Sequence, residues 1–107
     1  MPDFASIDMR VGTVLTATTF PEARKPAFKL SIDFGPELGV KRSSAQLTVH
    51  YAPDQLVGRQ VIAAVNLGMR RIAGFESEVL VLGAMPTATE VVLLAPDQRV
   101  ANGTRIA

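Results

Sequence analysis

With 107 residues the chain has room for one compact domain, which we expect to span residues 1–107. It has no cysteine and a single histidine, so disulfides, thiolate metal sites and multi-histidine metal sites are excluded. The chain carries 11 basic and 10 acidic residues, a net charge of +1, and its pI is about 8.2. Most nucleic-acid-binding domains have a pI above about 9, so phosphate binding here would need a local cluster of basic side chains.

The first half of the chain is predicted to form three strands. Met9–Phe20 is rich in valine and threonine, and Gly12 inside it predicts a bulge or a sharp bend. Ala27–Phe34 alternates apolar and polar residues, which indicates a half-buried strand. A glycine- and proline-containing turn at residues 35–39 leads to a third strand over Val40–Thr48.

The second half continues with strands and one helical turn. Pro53–Val57 is predicted to form that turn, because proline favours a helix start and Gly58 ends it. Gln60–Val65 and Glu78–Leu82 are apolar, as central strands are, and Glu90–Leu94 is a further short strand. This inventory predicts an all-β protein with a five-stranded OB-fold (oligonucleotide/oligosaccharide-binding) Greek-key barrel, and a β-sandwich is the alternative.

Apolar residues make up 48% of the sequence, which is more than one small core readily buries. A homodimer interface would cover the excess, and a valine-rich β core buried on both faces is the alternative. The start of the sequence has no basic region followed by an apolar core, so no signal peptide is visible. The uncharged stretches are too short for a spanning helix. We therefore expect a cytoplasmic protein without membrane insertion.

The predicted loop Asn66–Ser77 collects binding chemistry between two buried strands. It contains the two guanidinium groups of Arg70 and Arg71, an amide, a hydroxyl and the aromatic ring of Phe75. Loops on a rigid barrel commonly carry binding groups, and arginine forks onto phosphate or stacks on a base. An ordinary turn with solvated arginines is the alternative.

Residues suited to catalysis do not form a recognisable pattern. His50 would have to lie beside Ser43 or Ser44 to make a nucleophile site, and we expect it to be a structural or surface histidine. Glu76 and Glu78 share one face of a strand, where neighbouring glutamates are usually only solvated. No glycine-rich segment has the spacing of a phosphate loop. We expect no catalytic residues, no cofactor and no metal.

Motifs spread from Asp8 to Ile106 resemble those of the tRNA-binding-domain family. They are D-x-R-V-G at Asp8–Gly12, P-[DE]-A at Pro21–Ala23, N-L-x-x-[RK]-[RK]-[IM]-x-G at Asn66–Gly74, and the serine Ser77. Members occur as appendages of methionyl-tRNA synthetases and as free-standing dimers. The resemblance implies an OB-fold barrel whose N- and C-terminal extensions, here Met1–Ile7 and Pro96–Ile106, form a homodimer.

Further runs are more similar to the chaperone branch of this family than to synthetase appendages. They are Phe20–Arg24, Ser43–Gln46, Arg71–Phe75, Ser77–Gly83 and Asn102–Thr104. This resemblance implies a non-enzymatic, ATP-independent, export-related chaperone that binds unfolded or extended preproteins. The alternative is a structure-specific tRNA-binding protein that uses the OB-fold face.

The two functions use different side chains of this sequence. Ligand or tRNA contacts are predicted for Asn66, Arg70, Arg71, Ser77, Lys41 and Arg42. Peptide contacts are predicted for Met69, Phe75 and Met85, and packing in the core or a dimer interface is their alternative. Val79 stands where tRNA-binding members commonly have glycine, so we expect its branched side chain to hinder close approach of a base.

Overall fold

The computed structural model describes residues 6–107 and forms a β-barrel with two short helices in this part of the chain. The strands are β1 Met9–Thr19, β2 Phe28–Asp33, β3 Val40–Ala45, β4 Gln60–Ala64, β5 Arg70–Ile72, β6 Phe75–Ser77, β7 Leu80–Val81, β8 Gly83–Thr87 and β9 Glu90–Leu93. The helices are α1 Gly35–Leu38 and α2 Pro53–Leu56. Most of the predicted N-terminal extension Met1–Ile7 lies outside the described residues.

Five antiparallel strands build the barrel in the order β3-β2-β1-β4-β7. The first half of β1 pairs with β4 and its second half pairs with β2. A register shift between Val14 and Thr16 marks a bulge, which lets the strand bend from one neighbour to the other. Because β4 returns to the free edge of β1, the topology is a Greek key, and the predicted OB-fold barrel is confirmed.

The barrel is closed by the short segment that joins β6 to β7. The amide of Glu78 donates to the carbonyl of Arg42 on β3 at 2.8 Å, and the amide of Ser44 donates to Oγ of Ser77 at 3.0 Å. Oγ of the fully buried Ser43 donates to the carbonyl of Val79 at 3.0 Å. These bonds bring the last barrel strand against β3 and leave the barrel nearly closed.

Apolar side chains from the strands and from α2 fill the barrel. The predicted alternation of the second strand is confirmed, because its apolar members are all buried: Phe28, Leu30, Ile32 and Phe34. Leu56 of α2 is fully buried and packs in the same core. Gly12 is needed for this packing, since a Cβ there would lie 2.6 Å from Cγ2 of Ile32. The bulge of β1 lies two residues beyond Gly12, so this glycine serves close packing and not the bulge itself.

The C-terminal segment runs along β1 of the same chain. The amides of Gly103 and Ile106 donate to the carbonyls of Val11 and Met9 at 2.7 and 2.9 Å. The guanidinium group of Arg10 joins the two ends, with Nε 2.7 Å from Oδ1 of Asp8 and Nη1 3.1 Å from the carbonyl of Gly103. The hydrogen bond that Arg10 donates to the Asp8 carboxylate raises the pKa of Arg10. Removal of this segment would leave one edge of β1 unpaired.

Several elements differ from their sequence predictions. The predicted loop Asn66–Ser77 contains the two-stranded hairpin β5–β6. The strand Gly83–Thr87, which contains Pro86, was not predicted. The third strand ends at Ala45 and not at Thr48. Within residues 6–107 no helix is long and apolar enough to cross a membrane.

We expect Ser43→Ala to lower the free energy of unfolding by about 1–3 kcal/mol, because the buried carbonyl of Val79 loses its 3.0 Å hydrogen bond. Urea unfolding followed by circular dichroism measures the change. The neighbouring Ser44→Ala is the matched control, since its side chain points to the other face of β3, and its effect should stay within about 0.5 kcal/mol. Equal losses in the two variants would show that the hydroxyl of Ser43 does not hold the barrel closed.

Candidate functional site

The hairpin β5–β6 projects from the closed side of the barrel. Its register pairs Arg70 with Ser77 and Arg71 with Glu76. The two turn residues Ala73 and Gly74 have φ angles of 47° and 82°. Positive φ at both positions is typical of the type I′ turn, whose twist matches that of a tight hairpin. The turn therefore fixes both arginines on one short, ordered ribbon.

An aromatic pair lies under one side of this ribbon. The rings of Phe20 and Phe75 meet edge to face with their centroids 5.5 Å apart. Nζ of Lys29 lies 4.7 Å from the ring centroid of Phe20, and the guanidinium carbon of Arg42 lies 5.4 Å from that of Phe75. Cations near aromatic rings at these distances are attracted by the ring quadrupole. The pair thus holds two positive groups beside the hairpin.

Acidic side chains connect the hairpin to β3. Glu76 accepts from Nη2 of Arg42 at 3.1 Å through Oε1, and from Nη2 of Arg71 at 3.2 Å through Oε2. Oε1 of Glu78 lies 3.6 Å from Nε of Arg42. The two glutamates do share a face, as predicted, and both pair with arginine. All of these side chains are at least one-third exposed, so each pair stabilises the fold by about 1 kcal/mol or less.

A groove of about 510 Å³ opens between the hairpin, the end of β3 and the loop that follows β1. Its charged lining consists of four basic side chains, Arg24, Lys25, Arg70 and Arg71. The remaining lining residues are Ala23, Ala27, Ser44, Gln46, Ile72 and Ala73. On an OB-fold barrel, the first loop and the loop before the last barrel strand border the ligand-binding face. The groove occupies this position and is strongly positive.

The predicted ligand contacts divide between this groove and the framework of the fold. Arg70 and Arg71 line the groove, and Arg42 is joined to Arg71 through Glu76. Lys41 precedes Arg42 on β3, and side chains alternate along a strand, so the two cations point to opposite faces. The structure therefore brings together three of the predicted arginines and leaves Lys41 on the other side.

Two predicted polar contacts are engaged within the chain. Oδ1 of Asn66 accepts from the amide of Asp8 at 2.8 Å, and its Nδ2 donates to the carbonyl of Ser6 at 2.7 Å. Oγ of Ser77 is bonded to the amide of Ser44 and is buried. Asn66 fastens the segment before β1, and Ser77 closes the barrel.

The three predicted peptide contacts lie in different surroundings. Met69 precedes β5 and is 52% exposed. Phe75 is half-buried against Phe20. Met85 is 60% exposed on β8, which forms a separate two-stranded sheet with β9. Of the three, Met69 is the exposed apolar side chain that adjoins the hairpin.

Two basic residues that line the groove were not identified from the sequence. Val79 was also predicted to hinder the approach of a base. Arg24 and Lys25 form an adjacent basic pair in the first loop, and that position in an OB fold was the available signal. Val79 is only 6% exposed and belongs to the core. Its branched side chain therefore points away from the groove and does not hinder a base there.

His50 lies outside this groove. Its Nε2 is 2.6 Å from Oε1 of Glu90, which ties the segment before α2 to the β8–β9 hairpin. The hydroxyl of Ser43 is hydrogen-bonded to the carbonyl of Val79, so Ser43 and His50 do not form a pair of nucleophile and base. In the described part of the chain no group of three or more histidine, cysteine, aspartate or glutamate side chains is placed to hold a metal ion.

Comparison with known sequences matches residues 9–105 to the family described as "Putative tRNA binding domain". Methionine–tRNA ligase from Porphyromonas gingivalis is 38% identical over 104 residues, and that from Methanococcoides burtonii is 34% identical over 104 residues. Each match covers 97% of this chain. The chain spans 15% of the length of these curated relatives.

Solved structures match the chain over nearly its whole length. Chaperone CsaA from Bacillus anthracis is 53% identical with a TM-score of 0.94, covering 100% of this chain and 99% of that one. CsaA chaperone protein from Picrophilus torridus is 48% identical with a TM-score of 0.90, covering 98% and 95%. A MetRS-related protein from Pyrococcus horikoshii is 26% identical with a TM-score of 0.86, covering 100% and 98%. The predicted resemblance to the chaperone branch of the family, represented here by the CsaA structures, is confirmed.

We expect Phe75→Ala to lower the free energy of unfolding by about 1–3 kcal/mol. The ring is half-buried and packs against Phe20, so the loss should be smaller than the 3–5 kcal/mol typical of a fully buried phenylalanine. Thermal or urea unfolding measures it. Met69→Ala, at an exposed neighbouring position, should change stability by about 0.5 kcal/mol or less. If Phe75→Ala were equally mild, the aromatic pair would not support the hairpin.

Proposed function

The chain belongs to the tRNA-binding-domain family, and from that premise we propose that it is a non-enzymatic, ATP-independent chaperone. It binds unfolded or extended polypeptides, preproteins for export among them, as a homodimer in the cytoplasm. The observation that carries this proposal is its likeness to CsaA chaperones over the whole chain, at 53% and 48% identity. The groove supplies the binding surface.

The groove suits an extended segment better than a folded domain. It runs between the first loop and the hairpin, with Ile72, Ala73 and Ala27 among its lining residues and Met69 adjoining the hairpin. The long stems of Arg70 and Arg71 add apolar surface while their charged ends stay in water. A holdase of this kind lowers the free concentration of unfolded chains by mass action and needs no nucleotide.

Structure-specific tRNA binding is the second candidate, and one observation favours it. The four charged side chains that line the groove are all basic, while the whole chain carries a net charge of only +1. Arginine forks onto phosphate oxygens, and OB-fold grooves of this kind follow a nucleic-acid backbone. The synthetase relatives fit this alternative.

Salt dependence separates the two ligands. We expect a labelled unfolded polypeptide to bind with little change over a salt series, because apolar burial at about 25 cal/mol per Å² is insensitive to moderate salt. We expect tRNA to bind weakly, with a log–log slope of about −0.7 to −0.9 per phosphate neutralised. Fluorescence anisotropy without nucleotide measures both, and the polypeptide measurement is repeated in EDTA. Tight tRNA binding at physiological salt without polypeptide binding would reverse the ranking.

The two groove arginines give the matched variants for the same assay. Arg70→Ala/Arg71→Ala should flatten the salt slope for tRNA and weaken binding by about 1–3 kcal/mol. Arg59→Ala/Arg99→Ala removes the same charge outside the groove and should change tRNA binding much less. Met69→Ala should weaken polypeptide binding more than the Arg70/Arg71 pair does. It replaces Phe75→Ala in this role because Phe75 also supports the fold.

The homodimer is tested by sedimentation at micromolar concentration, where we expect a dimer. Deleting the C-terminal extension is unsuitable because that segment pairs with β1 of its own chain. We expect Ile7→Asp/Val100→Asp to produce monomer, because both side chains are apolar, at least 37% exposed and located in the two extensions. Val40→Asp, at a 54% exposed position on β3, should remain dimeric. A monomeric parent protein would contradict the assembly.

A further inference from the structure

We propose that Glu76 is an internal competitor of phosphate: its carboxylate occupies the anion position between Arg42 and Arg71, and so weakens the binding of tRNA. The inference rests on the proposed ligand groove and names the residue that sets its preference. Glu76 is neither a core residue nor one of the groove-lining residues, but its two carboxylate oxygens each accept from a different guanidinium group, and one of these belongs to the lining residue Arg71.

The geometry is that of a bound anion. Oε1 lies 3.1 Å from Nη2 of Arg42, and Oε2 lies 3.2 Å from Nη2 of Arg71. Two non-bridging oxygens of a phosphate are bound by paired guanidinium groups in the same way. Because the carboxylate already fills this position, a phosphodiester must displace Glu76 before it gains both arginines. Binding of tRNA therefore costs two existing ion pairs.

The contact is weak enough for a ligand to displace. The side chains of Arg71, Arg42 and Glu76 are 67%, 47% and 40% exposed, and ion pairs at such exposure are weak and screened by salt. Displacement would not disturb the barrel, whose closure depends on the backbone of Glu78 and on Ser43 and Ser77. Glu76 thus tunes binding without holding the fold.

The two arginines differ in how firmly they are held. Arg42 also lies over the ring of Phe75 and beside Glu78. Arg71, in contrast, forms an ion pair with Glu76 and with no other acidic side chain of the described residues. Displacement of Glu76 would free the most exposed of these guanidinium groups, on the rim of the groove. An uncharged extended polypeptide does not compete for that position, so Glu76 opposes phosphate and leaves such a polypeptide unaffected.

Glu76→Gln tests this directly, because it keeps the length of the side chain and removes its charge. We expect tRNA affinity at low salt to rise about threefold to tenfold, as two exposed ion pairs are no longer displaced. The log–log salt slope should steepen by about 0.7 to 0.9, the value for one further phosphate. Affinity for a neutral unfolded polypeptide should change less than about twofold, and the melting temperature should fall by no more than the few degrees expected for two exposed ion pairs.

Two controls separate this mechanism from a general charge effect. Glu78→Gln makes the same change in net charge two residues away and beside the same Arg42, so its gain should stay below about twofold. In an Arg71→Ala background the gain from Glu76→Gln should shrink, since the two residues act together. An equal gain from Glu78→Gln, or an undiminished gain without Arg71, would overturn the proposal.

The remaining outcomes are also decisive. An unchanged or lower tRNA affinity of Glu76→Gln overturns the inference, and so does the absence of tRNA binding in both parent and variant. A gain for polyglutamate larger than that for tRNA would assign the position to acidic polypeptides and overturn the RNA assignment. Failure of the parent protein to bind unfolded polypeptide would contradict the proposed chaperone function. It would not change the interpretation of the Glu76→Gln result on tRNA.

Discussion

The hydrogen bonds between Ser77–Val79 and β3 determine where every other part of the site lies. Ser43, Ser44 and Arg42 supply the partners on β3, and two of the bonds involve buried groups whose loss is costly. The hairpin β5–β6 enters the barrel wall directly at Ser77, so its position relative to the first loop follows from this closure. Without this closure, the hairpin would not be held opposite the first loop and the groove would be open on that side.

Charge at this site is local and does not follow from the composition of the chain. A net charge of +1 averages over groups that lie farther apart than the screening length of about 8 Å at physiological salt. Four basic side chains line one groove, while Glu76 and Glu78 neutralise the neighbouring Arg42 on β3. A ligand in the groove meets the cations first. The glutamates set how much of the adjacent positive charge it also gains.

Periodicity predicted the barrel because long strands with one buried face carry a strong pattern, as Phe28–Asp33 does. It could not predict the hairpin, since three-residue strands around an Ala-Gly turn carry almost none. The roles of Asn66 and Ser77 were equally hidden. Their partners, Asp8 and Ser44, are at least 33 residues away in sequence, and only the folded chain brings them together. Lys41 and Arg42 are neighbours in the sequence and were predicted to bind the same ligand. Because side chains alternate along a strand, they point to opposite faces of β3.

Under the proposed function one groove serves two ligands, because the two modes of binding depend on different physical quantities. Contact with an extended polypeptide draws on apolar area from side chains such as Ile72 and Met69, and this contribution changes little with salt. Contact with tRNA draws on guanidinium groups and falls steeply as salt rises. Ionic strength therefore shifts the balance between them, and an acidic side chain at the rim shifts it in the same direction. In the mechanism that we propose, Glu76 weakens tRNA binding as added salt does. Unlike salt, Glu76 has a fixed position between Arg42 and Arg71, which the register of the hairpin determines.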